Sequence, residues 1–143
     1  LPDGGTAFIT VTDSDKAGAV AIAQTLHDLG FKIVATRGTR EALERMGVPA
    51  TELMKVGEGS PNVVDMIESG DVTLVVNTPT GSGARSDGWE IRRAAVARSV
   101  PCLTTLAGGL AAVRAISSAR HGEAEVLSLQ EIHRGLYSVE AEA

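Results

Sequence analysis

Ala35-Thr36-Arg37-Gly38-Thr39-Arg40 decides how this chain is read. It follows the apolar run Phe31 to Ala35, a short buried strand. It precedes Glu41 to Met46, a helix. Strand, glycine-bearing turn, helix is the arrangement that aims backbone N–H groups at an anion. Thr36 and Thr39 add hydroxyls to that turn, and Arg37 and Arg40 add charge. The plainer reading is a helix start that Thr39 merely caps. Taken alone the stretch favours the plainer reading, since short Gly-Thr turns are common. The equipment at other strand ends changes the balance.

The chain has 143 residues, enough for one domain with a sizeable core. Hydrophobic residues are 43% but aromatics only 3%, so the core is Val, Ile, Leu and Ala. That suits a parallel sheet, whose central strands are aliphatic on both faces. It argues against a stacking platform for single-stranded nucleic acid. A net charge of −5 argues against duplex DNA as well, so an anion must bind in a local pocket. The one cysteine, Cys102, allows no disulfide within the chain. A reducing, cytoplasmic setting is expected, and the thiol reads as a buried, inert one. No apolar run reaches membrane length and no signal peptide is visible. The start at Leu1-Pro2 without Met suggests a piece of a longer polypeptide.

Working outward, Leu1 to Gly5 reads as linker and Thr6 to Val11 as the first strand. Lys16 to Leu29 is a helix with Ala19, Ile22, Ala23 and Leu26 on one face, stopped by Gly30. Thr51 to Val56 is a weak third strand. Pro61 suits the first turn of a helix over Asn62 to Ser69. Val72 to Val76 is the fourth strand, and Asn77 to Gly88 a long polar loop. A helix over Trp89 to Ser99, with Ile91, Ala95 and Val96 inward, leads to a fifth strand, Val100 to Leu103. An Ala-rich helix follows Gly108-Gly109 and runs to Ser117. A short strand over Glu125 to Ser128, a helix over Leu129 to Leu136 and a flexible tail over 137–143 complete the reading. Residues 6–136 are thus one α/β domain, a three-layer, doubly wound, five-stranded parallel sheet. Ligands of such sheets lie beyond the carboxyl ends of the strands.

Those ends carry matching chemistry. Thr10, Thr12 and Lys16 follow the first strand, and Thr36 and Thr39 the second. Lys55 and a glycine loop follow the third, Asn77, Thr78 and Thr80 the fourth, Thr104 and Thr105 the fifth. Each has a bland alternative: Lys16 pairs with Asp13 or Asp15, Lys55 is simply solvated, the loop is surface. Their convergence on one rim points to a small, oxygen-rich anion such as a sugar phosphate or nucleotide. Catalytic candidates are thin. His27, His121 and His133 are scattered, and no Cys/His group has metal-ligand spacing. Asp13 and Asp87 are the carboxylates near the rim, the first more simply a helix cap and the second in the loop.

Thr10 to Lys16, Ala35 to Thr39, Lys55 to Gly59 with Asn62, Val76 to Thr78, Ile91 to Arg93, Thr104 to Leu106 with Gly108-Gly109, and Ser128 to His133 together resemble the methylglyoxal-synthase-like domain family. Within it they look most like the C-terminal allosteric domain of carbamoyl phosphate synthetase large subunits. The resemblance implies a doubly wound sheet and an effector pocket on this rim. In bacterial members UMP inhibits and IMP activates through one overlapping site, and ornithine activates nearby. Carried over, Lys16, Thr36, Thr39 and Lys55 hold the phosphate with Thr10 close by, Asn77 faces the ribose or phosphate, and Thr104 lies towards ornithine. The implied partners are these effectors, the rest of the large subunit and, through it, the glutamine amidotransferase small subunit. The parent enzyme uses ATP with Mg or Mn in pyrimidine and arginine synthesis; no cofactor is implied for this domain.

Three departures matter. Pro79 and Thr80 replace part of the family's Asn-Thr-Thr-Ser-Gly pattern. Leu103 stands where some relatives have a carboxylate, which bears on ornithine. Ser60 stands where methylglyoxal synthases carry their catalytic aspartate, so a free-standing lyase acting on dihydroxyacetone phosphate, the alternative function, would lack its base.

Overall fold

The computed structural model describes residues 1–78 and 85–122. Strand β1 (Thr6–Thr10) leads through a 3-10 turn (Asp13–Asp15) into α1 (Lys16–Asp28). Then come β2 (Lys32–Ala35), α2 (Arg37–Arg45), β3 (Thr51–Glu52), α3 (Val63–Ser69), β4 (Val72–Asn77), α4 (Arg85–Ala97) and β5 (Cys102–Leu103). A last helix, α5, covers residues 106–122. All strand pairs are parallel, in the order β3-β2-β1-β4-β5. The expected five-stranded, doubly wound architecture is therefore present.

Alternating side chains divide the core in two. Ala7 and Ile9 of β1 with Leu74 and Val76 of β4 meet Ile22 and Leu26 of α1, Leu43 of α2 and Val113 and Ile116 of α5. Phe8, Val34 and Val75 point the other way, onto Val63 and Ile67 of α3 and Ile91 and Ala94 of α4. Each fully buried aliphatic side chain stabilises by about 1.5–3 kcal/mol, and buried Phe8 and Phe31 add two aromatics to the expected aliphatic core. The β1–β4 register shifts between Thr6 and Ala7, so Val72 faces the α3–α4 side although Leu74, two residues on, faces the other.

Several boundaries differ from the sequence reading. Helix α2 begins at Arg37, so Gly38 lies in its first turn and no separate turn intervenes. The third strand is two residues long, and Met54 bridges Asn62 instead of continuing it. Pro61 stands outside α3, because Asn62 is the N-cap and its side chain accepts from Val64 N and Asp65 N. Helix α4 starts four residues before Trp89, and Val96, expected inward, is 78% exposed while Ala94 and Ala95 face the core. Gly108 and Gly109 lie inside α5, not before it. A Cβ on Gly109 would come within 2.8 Å of Ile22 Cδ1, so glycine there lets α5 settle onto α1. At the other end of the sheet, the carbonyls of Asp3, Gly4 and Gly5 accept from Arg120, Thr73 and the Lys32 amide respectively. The elements expected beyond residue 122 lie outside the described residues.

Candidate functional site

The carboxyl ends of β1, β2 and β4 gather four threonines. Thr10 and Thr36, on adjacent strand ends, share a hydroxyl–hydroxyl hydrogen bond of 2.9 Å. Thr39, in the first turn of α2, accepts from the Val11 amide at 3.2 Å. Thr78, just past β4, accepts from the Thr12 amide at 3.0 Å and donates its own N–H to the Thr10 carbonyl at 3.1 Å. The segment leaving β1 is thus clamped from both sides. Thr36, Thr39, Asn77 and Thr78 are all buried. Buried hydroxyls survive folding only with partners, and here these are the Thr10 hydroxyl for Thr36 and the Val11 and Thr12 amides for Thr39 and Thr78.

Thr36 is the N-cap of α2, yet its side chain makes no capping bond. Its hydroxyl goes to Thr10 instead. The start of a nine-residue helix is therefore left without a side-chain acceptor, the condition in which backbone N–H groups suit an anion. Lys16 completes the site. A Cβ built on Gly38 would lie 3.2 Å from Lys16 Nζ, so the ammonium rests over the glycine at that helix start. The same ammonium pairs with Asp13, as the bland reading of the sequence had it. Hydrogen bonding and charge from Lys16 hold the Asp13 carboxyl below the usual carboxylate range.

The remaining predicted residues fall at varying distance from this cluster. Asn77 ends β4, with its amide facing Gly88 of α4, where a Cβ would be 3.5 Å away. Thr104 follows β5, one residue beyond the Val76–Leu103 pair, and Thr105 caps α5 by accepting from the Gly108 amide at 3.0 Å. Lys55 is exposed and makes no ion pair among the described residues. Thr80 lies outside the described residues, as does the side chain of Asp87. The arginines of the opening stretch face β3: Arg37 Nε lies 3.7 Å and Arg40 Nε 3.5 Å from Glu52 Oε1, and Arg40 also pairs with Glu44 at 2.8 Å. Sequence reading missed Glu52; only strand pairing, which sets it beside Ala35, reveals it.

Ser60 donates to Asp65, whose carboxyl also accepts from the Asn62 amide; the two bonds hold it below the usual range, and it serves as a capping partner. Burial pushes the Cys102 thiol up, against a weaker pull from Arg92, so little thiolate forms at neutral pH. Among the described residues no group of three or more His, Cys, Asp or Glu is placed to hold a metal ion. No helix among them is long and apolar enough to cross a membrane.

A five-stranded parallel α/β sheet whose carboxyl rim gathers threonine hydroxyls and a lysine is the class of fold this structure defines. The MGS-like domain model matches residues 18–104, and the chain belongs to that family. Its relatives are large chains of carbamoyl phosphate synthase. It is 48% identical over 136 residues to the C-terminal section of that chain from Methanopyrus kandleri, covering 94% of this chain and 25% of the relative. It is 50% identical over 136 residues to the large chain of Streptomyces griseus, covering 92% and 12%. Against the large chain of Rubrobacter xylanophilus, identity is 46% over 134 residues, covering 93% and 13%. The chain thus spans about one-eighth of most of these relatives' length. The fold is shared with a methylglyoxal synthase from Elizabethkingia anophelis, at a TM-score of 0.64, 19% identity and 79% coverage of each chain. ForH aligns with a TM-score of 0.57 and 18% identity over 81% of each.

Proposed function

We propose that this chain is the regulatory, effector-binding part of a carbamoyl phosphate synthetase large subunit, and that nucleoside monophosphates such as UMP and IMP are its effectors. The observation that carries this is the placement of Lys16 over Gly38, at a helix start whose N-cap hydroxyl is turned to Thr10. The phosphate would accept from the first amides of α2, from Lys16 and from Thr36. Kinship with the large chains supplies the enzyme in which such binding would act. Lys55, Asn77, Thr78, Thr80 and Thr104 would line the remainder of the pocket, with ornithine as a further effector near Thr104. Binding regulates only through contacts that differ between two states of the enzyme, as in any allosteric coupling. The rest of the large subunit and the amidotransferase subunit would read out that difference, in the cytoplasm.

Calorimetric titration with UMP and IMP tests this. Binding should weaken about ten- to a hundred-fold in Lys16→Ala, the loss of one charge-assisted contact. Absence of binding by both nucleotides would overturn the reading. The lyase alternative predicts instead phosphate release from dihydroxyacetone phosphate. It has little support, since Ser60 stands where methylglyoxal synthases carry their catalytic aspartate and Asp13 is engaged by Lys16, which holds its carboxyl below the usual range.

A further inference from the structure

Three of the cations around the cradle have an internal carboxylate. Lys16 has Asp13, Arg40 has Glu44 and Glu52, and Arg37 has Glu52. Glu52 differs from the other two acids. Asp13 and Glu44 are helical neighbours of their cations, three and four residues away. Glu52 comes from a different strand and lies beside Ala35, the residue before Thr36. From there one carboxylate oxygen faces both arginines of the first turn of α2. Neither pairing is good. The distances are 3.7 and 3.5 Å, and Arg40 Nε is buried with no hydrogen-bond partner among the described residues. A carboxylate shared loosely by two guanidiniums, partly in water, contributes little to stability. A phosphate dianion offers more acceptor oxygens and more charge, and guanidiniums match it in bidentate geometry.

We propose that Glu52 is a built-in competitor that sets the affinity and selectivity of this pocket for phosphate monoesters. With the pocket empty it holds Arg37 and Arg40 towards β3. A phosphate at the start of α2 takes Arg37 from it, one residue from Thr36. A monoanion, or a neutral ligand, gives the arginine too little to leave, so the device favours dianions. This rests on the effector-pocket reading above and assigns a residue that reading does not use.

The test compares wild type, Glu52→Gln, Glu44→Gln and the double variant Glu52→Gln/Arg37→Ala by calorimetry, with UMP, IMP and inorganic phosphate as probes. Glu52 is 44% exposed, and glutamine keeps its shape, so the variant should melt with wild type. Glu52→Gln should tighten UMP about two- to five-fold, the scale of one partly exposed ion pair removed from competition. The double variant should lose that gain, and Glu44→Gln should show none. Tightening of inorganic phosphate alongside UMP and IMP would assign the effect to the phosphate rather than the base. An unchanged or weaker UMP affinity in Glu52→Gln, with wild type binding normally, overturns this inference and leaves the pocket reading intact. A gain of equal size in Glu44→Gln marks a general charge effect and also overturns it. Failure of every variant to bind overturns both.

Discussion

Thr36 and Thr39 look alike in the sequence, three residues apart around one glycine, yet the structure gives them opposite duties. Thr39 is buried and takes the Val11 amide, so its hydroxyl is part of the scaffold. Replacing it with valine keeps the shape and strands a buried N–H. Thr39→Val should cost about 1–3 kcal/mol in urea unfolding. Thr36 bonds only another hydroxyl on the rim, so Thr36→Val should cost stability less and nucleotide binding more. Equal losses of stability in the two variants would refute this division. Two glycines allow a second comparison at this scale. Gly5 has φ +113°, and a Cβ there would sit 2.5 Å from Thr73 Oγ1; Gly47 has φ +82° with nothing within 4 Å. Both alanine variants carry backbone strain of about 1–3 kcal/mol, but only Gly5→Ala adds a collision. Its melting temperature should therefore fall further than that of Gly47→Ala.

Elements were legible where their own residues decide them and illegible where a neighbour does. Strands β1, β2 and β4 and the inner face of α1 follow from aliphatic periodicity, so the sheet and its winding could be read directly. The start of α2 could not, because Gly38 and a β-branched Thr39 read as a turn until Val11 and Lys16 are in place to use them. Gly108-Gly109 looked like a break before α5, since nothing in the sequence shows Ile22 waiting at that distance. Glu52 was invisible for the same reason: its value lies in lateral pairing with Ala35. Helix α3 gives a test of an element held by its own cap. Asn62 accepts from two amides while Asp65 accepts from the Asn62 amide and from Ser60. Asn62→Ala should cost about 0.5–2 kcal/mol. Because the Asp65 carboxyl titrates lower folded than unfolded, its contribution is present above the usual carboxylate range and is lost as pH falls through its folded value. Asp65→Asn should therefore be less stable than wild type at neutral pH, and the difference should close as the solution is acidified. A gap that persists unchanged in strong acid would show that the carboxylate charge is not what stabilises the helix start.

Across the molecule, the two ends of the sheet differ in what holds them. At the amino end the Lys32 amide is held by a backbone carbonyl, that of Gly5, while the Arg120 and Thr73 side chains hold the Asp3 and Gly4 carbonyls. At the carboxyl end, the Val11 and Thr12 amides depend on side-chain hydroxyls, Thr39 and Thr78, which release them by a rotamer change rather than by breaking a strand ladder. Local opening should therefore be easier at the carboxyl end, the expected place for a segment that must answer a ligand. A ligand confined to that rim stabilises the whole fold by mass action, about 2.7 kcal/mol at a hundred times its dissociation constant. For a domain of this size that is a rise in melting temperature of about 5–10 °C. Global stabilisation alone would slow exchange only at amides that open by unfolding. Rim binding adds a second effect, since ordering Thr36, Thr39 and Thr78 also closes the local route. Hydrogen exchange with saturating UMP should thus slow most at Val11, Thr12 and Thr78, and little at the Lys32 amide, which bonds to Gly5 at the far end. Equal slowing at Val11 and Lys32 would place the ligand's grip somewhere other than the cradle.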